Sequence, residues 1–155
     1  MRNPDATVSY REHFANAELQ IELATSPAEV ARDCNFIVTT TPAKEPLLRN
    51  DDIRPGTHIT AMGSDTEDKL ELDPQILGRA DRVVADSLPQ SESRGEVFQA
   101  VKSGALDRES VVELGAVIAG TAAGRTDDDQ ITVCDLTGVA VQDLMIAQGV
   151  LEGLS

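Results

Sequence analysis

Short runs rich in β-branched residues alternate along this chain with stretches of helical periodicity. The clearest runs cover residues 35–41, 57–63, 82–86 and 131–135. Strands separated by helix-forming stretches are typical of βαβ units, in which consecutive strands lie parallel and helices cover the sheet. We therefore predict an α/β fold with a parallel sheet flanked by helices.

Capping signals and periodicity place the other elements. Ser26, Pro27 and Glu29 match an N-cap, a first helical position and a third position, which predicts a helix through about Asp33. Further strands are predicted at 7–10 and 21–24, helices at 11–19, 74–79, 90–103, 110–119 and 139–154, and a polar loop at 124–129. Because no repeat or composition shift interrupts the chain, we predict a single domain over residues 1–155.

The chain is strongly acidic, with 27 Asp and Glu, 13 Lys and Arg, and a formal net charge of -14. This charge repels the phosphates of nucleic acids and anionic membranes, so we expect neither as a partner. A surface that keeps the protein soluble and a salt-adapted surface both fit this composition.

The two cysteines, Cys34 and Cys134, lie far apart and lack the spacing of a zinc site. We predict that both are buried thiols and that the protein binds no metal. No apolar run approaches the roughly 18 residues that span a bilayer, and the N-terminus has no apolar signal core. A cytoplasmic location follows as the expectation.

Small polar residues follow the predicted strands, where ligands of open parallel sheets bind. These positions are Thr39, Thr40, Thr41, Gly63, Ser64, Asp65, Asp86, Ser87, Asp135, Thr137 and Gly138. Any one of them is also what a turn after a strand requires. The set as a whole therefore predicts the ligand-binding edge, and no single member does.

A dinucleotide site normally has a G-x-G-x-x-G loop after the first strand, whose amides hold the pyrophosphate at a helix N-terminus. No such spacing occurs here, and the first glycine is Gly56. Either the domain binds another ligand, or the first strand and its loop lie upstream of Met1. Arg11 favours the second explanation, because it follows the predicted strand whose end contacts the adenosine ribose, where an Arg suits a 2′-phosphate. A solvated Arg is the alternative.

Five segments, in this order and spacing, are similar to those of a known family: residues 38–47, 55–65, 69–74, 79–84 and 135–143. Together they resemble the ornithine cyclodeaminase/μ-crystallin family, and the variants around Met62 and Cys134 look most like its ectoine-breakdown or iminosuccinate-reduction branch. Members are NAD(P)-dependent homodimers that oxidise an amino acid, reduce an imine or keto acid, or cyclise a diamino acid with loss of ammonia. The resemblance implies NAD or NADP as cofactor, an amino-acid or imine substrate, and a homodimer.

The resemblance also assigns roles to residues. Asp65 matches the acidic residue near the nicotinamide, and a carboxylate suits a reaction that passes through a cationic iminium. A turn or cap aspartate before Lys69 is the alternative. The cofactor-binding positions implied are Arg11, the ribose-facing Thr39, Thr40 and Thr41, then Gly63 and Ser64, and finally Thr137 and Gly138 near the nicotinamide.

The family's phosphate loop and its N-terminal substrate-binding Arg and Lys have no counterpart in this sequence. The resemblance therefore implies a C-terminal portion: a Rossmann-like parallel sheet flanked by helices but missing the first strand and glycine-rich loop. We expect one incomplete NAD(P)-binding domain, inactive or weakly active as a chain of this length. A non-catalytic small-molecule-binding or dimerising remnant of the same fold is the alternative function.

Overall fold

Five short strands form one parallel sheet in the computed structural model, which describes residues 21–153. The strands are β1 (Phe36–Thr39), β2 (His58–Ala61), β3 (Arg82–Ala85), β4 (Val112–Glu113) and β5 (Thr132–Asp135). Their order across the sheet is β1-β2-β5-β3-β4, and every pairing is parallel. The predicted parallel α/β sheet is confirmed: β1, β2 and β3 end one or two residues earlier than expected, and β5 ends at Asp135 as expected.

Five α-helices accompany the sheet within residues 21–153: α1 (Pro27–Asp33), α2 (Pro74–Arg79), α3 (Gly95–Lys102), α4 (Leu114–Ile118) and α5 (Ala140–Gly153). Local sequence explains where α1 and α2 begin. The hydroxyl of Ser26 accepts a hydrogen bond from the Glu29 amide at 3.2 Å, and Asp73 accepts one from the Gln75 amide at 3.0 Å. Each cap satisfies a first-turn amide that has no partner in its own helix.

The core lies between one face of the sheet and helices α2 and α3. Its strand members are Ile37, Ile59, Ala61, Val83, Ala85 and Val133, and its helical members include Ile76, Leu77, Val97 and Ala100. Residues two apart on a strand point to the same face, so Asp135 shares the buried face of Val133. A carboxylate at the end of a core strand needs polar partners, and the site below supplies them.

Three element predictions are wrong. Residues 21–24 have no strand structure, because no neighbouring strand among the described residues pairs with them. The helix expected at 90–103 is a 3₁₀ turn, Gln90–Glu92, followed by α3, and the two are separated at Gly95, whose φ is +93°. The helix expected at 110–119 is shortened by β4, a two-residue edge strand too short to show periodicity.

The predicted strand at 7–10 and helix at 11–19 lie outside the described residues. The terminal helix is confirmed through Gly153. None of the helices in residues 21–153 is both long and apolar enough to cross a membrane.

The prediction of two buried thiols is wrong for Cys34, which is exposed because it is the C-cap of α1. Cys134 is partly buried in β5. Burial, with the neighbouring charges of Asp135 and Asp86, raises the pKa of the Cys134 thiol to about 11. This thiol is therefore protonated, and weakly nucleophilic, at neutral pH.

Helix α5 presents large apolar side chains to solvent. Those of Val141, Leu144, Met145, Ile146, Val150 and Leu151 are between 56% and 70% exposed. No residue of this helix is buried, so α5 contributes nothing to the core formed by the described residues.

Candidate functional site

Four strands end at the same level of the sheet. Thr39 pairs with Ala61, Ala61 with Asp135, and Asp135 with Ala85. The backbone ladder continues one residue further, where the amides of Met62, Leu136 and Asp86 donate to the preceding strand ends at 2.9, 2.8 and 3.1 Å. The loops after β1, β2, β5 and β3 therefore leave the sheet side by side, at the edge where the sequence placed its candidate residues.

A buried carboxylate, Glu71, lies beneath the loops that follow β1 and β2. One of its oxygens accepts hydrogen bonds from the amide and hydroxyl of Thr41, at 2.5 and 2.8 Å. The other accepts from the hydroxyl of Thr39 at 2.7 Å and the amide of Gly63 at 2.8 Å. Four donors compensate for the removal of this carboxylate from water, because hydrogen bonds to a charged acceptor are strong. The hydroxyls of Thr39 and Thr41 thus point into the protein, while Thr40 is exposed.

A second buried carboxylate, Glu96, comes from the first turn of α3. It accepts hydrogen bonds from the hydroxyl of Ser64 and from the amides of Glu71 at 2.8 Å and Leu72 at 3.1 Å. Burial raises the pKa of Glu96, and these donors oppose that effect. Ser64 is itself only 1% exposed, so its hydroxyl supports the edge from inside. Its role as a cofactor contact remains a prediction.

Asp65 follows Ser64 and has the opposite environment, because its side chain is exposed and forms an ion pair with Lys69. The hydrogen bond from Lys69 lowers the pKa of Asp65 below its ordinary value. The amide of Asp65 donates to the carbonyl of Gly63 at 3.1 Å, which makes a tight turn. Asp65 is therefore an ionised carboxylate at the open edge of the sheet, suited to stabilising a nearby cation.

Asp86, at the end of β3, holds the loop after β5. Its two oxygens accept hydrogen bonds from the Thr137 hydroxyl at 2.8 Å and the Gly138 amide at 3.0 Å. Thr137 is buried, whereas Gly138 is exposed, has a φ of +82°, and has no atom within 4 Å of the position a Cβ would take. The backbone at Gly138 is therefore open to the close approach of a flat ligand group.

Asp135, the last residue of β5, lies on the buried side of the site, with only 1% of its surface exposed. Its Oδ2 accepts a hydrogen bond from the Val97 amide at 2.9 Å and so caps α3, whose own N-cap residue, Arg94, makes no side-chain cap. Its Oδ1 has no hydrogen-bond partner among residues 21–153. Burial, together with the charges of Glu96 and Asp86, raises the pKa of Asp135 to about 7.

The raised pKa of Asp135 predicts a pH-dependent stability. Because the folded value lies above the unfolded value of about 3.9, the native state holds an extra proton between these two values. The contribution of Asp135 to the free energy of unfolding is then fully present below about pH 4. As the pH rises to 7, the free energy of unfolding falls by up to about 1.4 kcal/mol per pH unit. We expect urea unfolding at pH 5, 6 and 7 to show that the free energy of unfolding depends less on pH in Asp135→Asn than in the wild type. Equal slopes in the two proteins would contradict this cause.

The structure brings together the candidates at the ends of β1, β2 and β5, while Arg11 lies outside the described residues. Sequence reasoning missed the carboxylates of Glu71 and Glu96. Both stand beside apolar residues, Glu71 between Leu70 and Leu72 and Glu96 before Val97. A single charge next to an apolar run is the one signal that marks such residues, and it marks many solvated ones as well.

A parallel sheet whose aligned strand ends present threonine, glycine and an ionised carboxylate defines a Rossmann-like α/β domain with a ligand site at its carboxyl edge. Comparison with known proteins identifies the family. The chain belongs to the ornithine cyclodeaminase/mu-crystallin family, whose model matches residues 1–155.

Among curated relatives, alanine dehydrogenase from Archaeoglobus fulgidus is 42% identical over 133 residues, which are 85% of this chain and 41% of the relative. An archaeal alanine dehydrogenase dimer with bound NAD superposes with a TM-score of 0.86 at 34% identity, covering 97% of this chain and 46% of that one. The iminosuccinate reductase of Paracoccus denitrificans in complex with NAD+ gives a TM-score of 0.86 at 39% identity, again covering 97% and 46%. This chain thus spans less than half the length of these proteins.

Proposed function

We propose that this chain is the nicotinamide-facing portion of an NAD(P)-dependent oxidoreductase or cyclodeaminase that acts on an amino acid or its imine. The observation that carries the proposal is the gathering of three loops, 39–41, 63–65 and 137–138, at one level of the sheet edge. Two solved relatives that share this fold at a TM-score of 0.86 hold NAD. The proposal extends their cofactor to this chain.

The residues present fit the nicotinamide and its ribose. Thr40 offers an exposed hydroxyl, and the open space above Gly138 admits a planar ring. When bound, NAD(P) would accept or supply the hydride. Arg11 follows the strand predicted at residues 7–10, where an Arg would suit the 2′-phosphate of NADP. Assays with both NAD and NADP distinguish the two cofactors.

Asp65 is proposed to act on the substrate nitrogen. As an ionised carboxylate it can accept a proton from the ammonium group of the amino acid before hydride transfer, and in the direction of imine reduction it can return a proton to that nitrogen. Its negative charge also stabilises the iminium cation between these steps. In a cyclodeaminase the same group would assist the transfer of protons to the departing ammonia.

An activity assay tests the proposal with the gene product that contains this chain. We expect NAD(P)-linked turnover of at least one compound from a panel of alanine, iminosuccinate and ornithine, monitored by NADH or NADPH absorbance and by ammonia release. Saturable cofactor binding without turnover would favour the non-catalytic alternative. The absence of both cofactor binding and turnover would contradict the proposal.

The 155-residue chain alone provides a second measurement. Because it contains no G-x-G-x-x-G loop to hold a pyrophosphate, we expect its titration with NADH and NADPH to show weak binding or none. Fluorescence of the reduced nicotinamide is a suitable signal. A dissociation constant in the micromolar range would contradict this expectation.

We also propose that the active form is a homodimer in the cytoplasm.

A further inference from the structure

Glu71 accepts hydrogen bonds from residues at the ends of two different strands, β1 and β2. It is completely buried and does not reach the open edge. A single oxygen, Oε2, accepts hydrogen bonds from the hydroxyl of Thr39 and the amide of Gly63, while Oε1 accepts both donors of Thr41. One carboxylate therefore connects the loop after β1 to the loop after β2.

The two loops are in close contact at this point. A Cβ at Gly63 would lie 2.2 Å from the carbonyl oxygen of Thr41 and 2.5 Å from Cδ of Glu71. Only glycine allows the backbone to approach this closely. The Gly63 amide can then reach Glu71, and the spacing of the loops depends on the position of that carboxylate.

Glu71 is held in turn by Glu96, which accepts the amide of Glu71 at 2.8 Å and also the hydroxyl of Ser64. The loop that carries Asp65 is therefore attached twice, at Gly63 through Glu71 and at Ser64 through Glu96. Two buried carboxylates, one behind the other, restrain the segment that precedes the exposed Asp65.

We propose that Glu71 is a positioning residue, which fixes the spacing between the ribose-facing threonine loop, 39–41, and the loop that presents Asp65. This inference rests on the proposed function. Glu71 acts through its hydrogen bonds, because a buried carboxylate has no route to substrate. Both of its oxygens are required as acceptors, since four donors converge on them and an amide offers only one acceptor oxygen.

Glu71→Gln tests the proposal, because it keeps the size of the side chain but replaces one acceptor oxygen with a donor nitrogen. We expect kcat of the gene product to fall about 10- to 100-fold, since a misplacement of about 1 Å can cost a hundredfold in rate, with little change in the KM of the amino acid. The kinetic isotope effect with deuterated NAD(P)H should increase, as the hydride step becomes slower than product release. Loss of stability alone does not raise this isotope effect.

Amide hydrogen exchange in the 155-residue chain gives a second readout that does not depend on activity. In Glu71→Gln, the amides of Thr41 and Gly63 should exchange faster, while that of Ile59 in the middle of β2 should be unchanged. The control is Ile76→Val, a change in the buried part of α2, which should lower the melting temperature and leave kcat and the isotope effect at wild-type values.

The outcomes separate the two proposals. Faster exchange confined to Thr41 and Gly63, with reduced kcat, supports the positioning role. Unchanged kcat, or exchange that increases equally throughout the sheet, overturns it. A wild-type gene product without NAD(P)-linked turnover overturns the proposed function, and the exchange measurement then still decides whether Glu71 fixes the spacing of the loops.

Discussion

Replacement of Asp65 by Asn should reduce the turnover of the gene product by about a hundredfold or more, as is usual for the loss of a general acid or base. Asp65 is the exposed, ionised carboxylate at the open sheet edge, and Lys69 keeps its pKa low. Asn has nearly the same shape but can neither hold a negative charge nor exchange a proton with the substrate nitrogen. Steady-state kinetics with the substrate found in the panel assay measures the effect.

Asp68→Asn is the matched control. Asp68 is also exposed, lies three residues further along the chain and pairs with Lys44, so the change in net charge is the same. Hydrogen bonds from Lys44 and Thr66 lower its pKa to about 2, so Asp68, like Asp65, is an ionised carboxylate paired with a lysine. We expect its turnover to remain within about twofold of wild type, as for a surface substitution outside the site. Equal losses in the two variants would point to the net charge of the loop, and an unaffected Asp65→Asn would leave Asp65 as a turn residue.

Gly95→Ala should cause a large loss of stability. Gly95 has a φ of +93°, and a Cβ there would lie 2.4 Å from Oδ2 of Asp135 and 2.7 Å from Cγ2 of Thr137. The backbone strain costs about 1–2 kcal/mol, and displacing buried neighbours costs about 1–3 kcal/mol more. Urea unfolding followed by circular dichroism should therefore show a loss of about 3 kcal/mol.

Gly104→Ala isolates the backbone part of this effect. Gly104 has a similar φ of +77°, but nothing lies within 4 Å of the position its Cβ would take. Its loss should be limited to the strain, about 1–2 kcal/mol. If both variants lost the same free energy, contact with Asp135 and Thr137 would not be the reason that position 95 requires glycine.

The parts of the fold that could be predicted are those that local sequence determines. Ser26 caps α1 and Asp73 with Pro74 starts α2, because a cap and its helix are neighbours in the chain. Strand β4 could not be predicted, since its two residues are ordered by pairing with β3, far away in sequence. The break before α3 likewise depends on Asp135, which caps that helix from β5.

The pattern of strands predicted that the candidate residues meet at one edge of the sheet, and the strand ends are aligned there, but the direction of the hydroxyls was not foreseen. The family resemblance implied that Thr39, Thr41, Ser64 and Thr137 contact the cofactor. Their hydroxyls instead donate to Glu71, Glu96 and Asp86. Whether a hydroxyl faces outward or inward depends on carboxylates that come from distant segments, and no local pattern reports those.

The apolar surface of α5 affects how this chain behaves in solution. Six large apolar side chains on a single helix give neighbouring molecules a surface on which to associate, while the net charge of -14 keeps those molecules apart. Salt weakens only the second effect, because the range of charge repulsion shrinks to about 10 Å at 0.1 M. The colloidal stability of the chain is therefore electrostatic in origin and is greatest in dilute buffer.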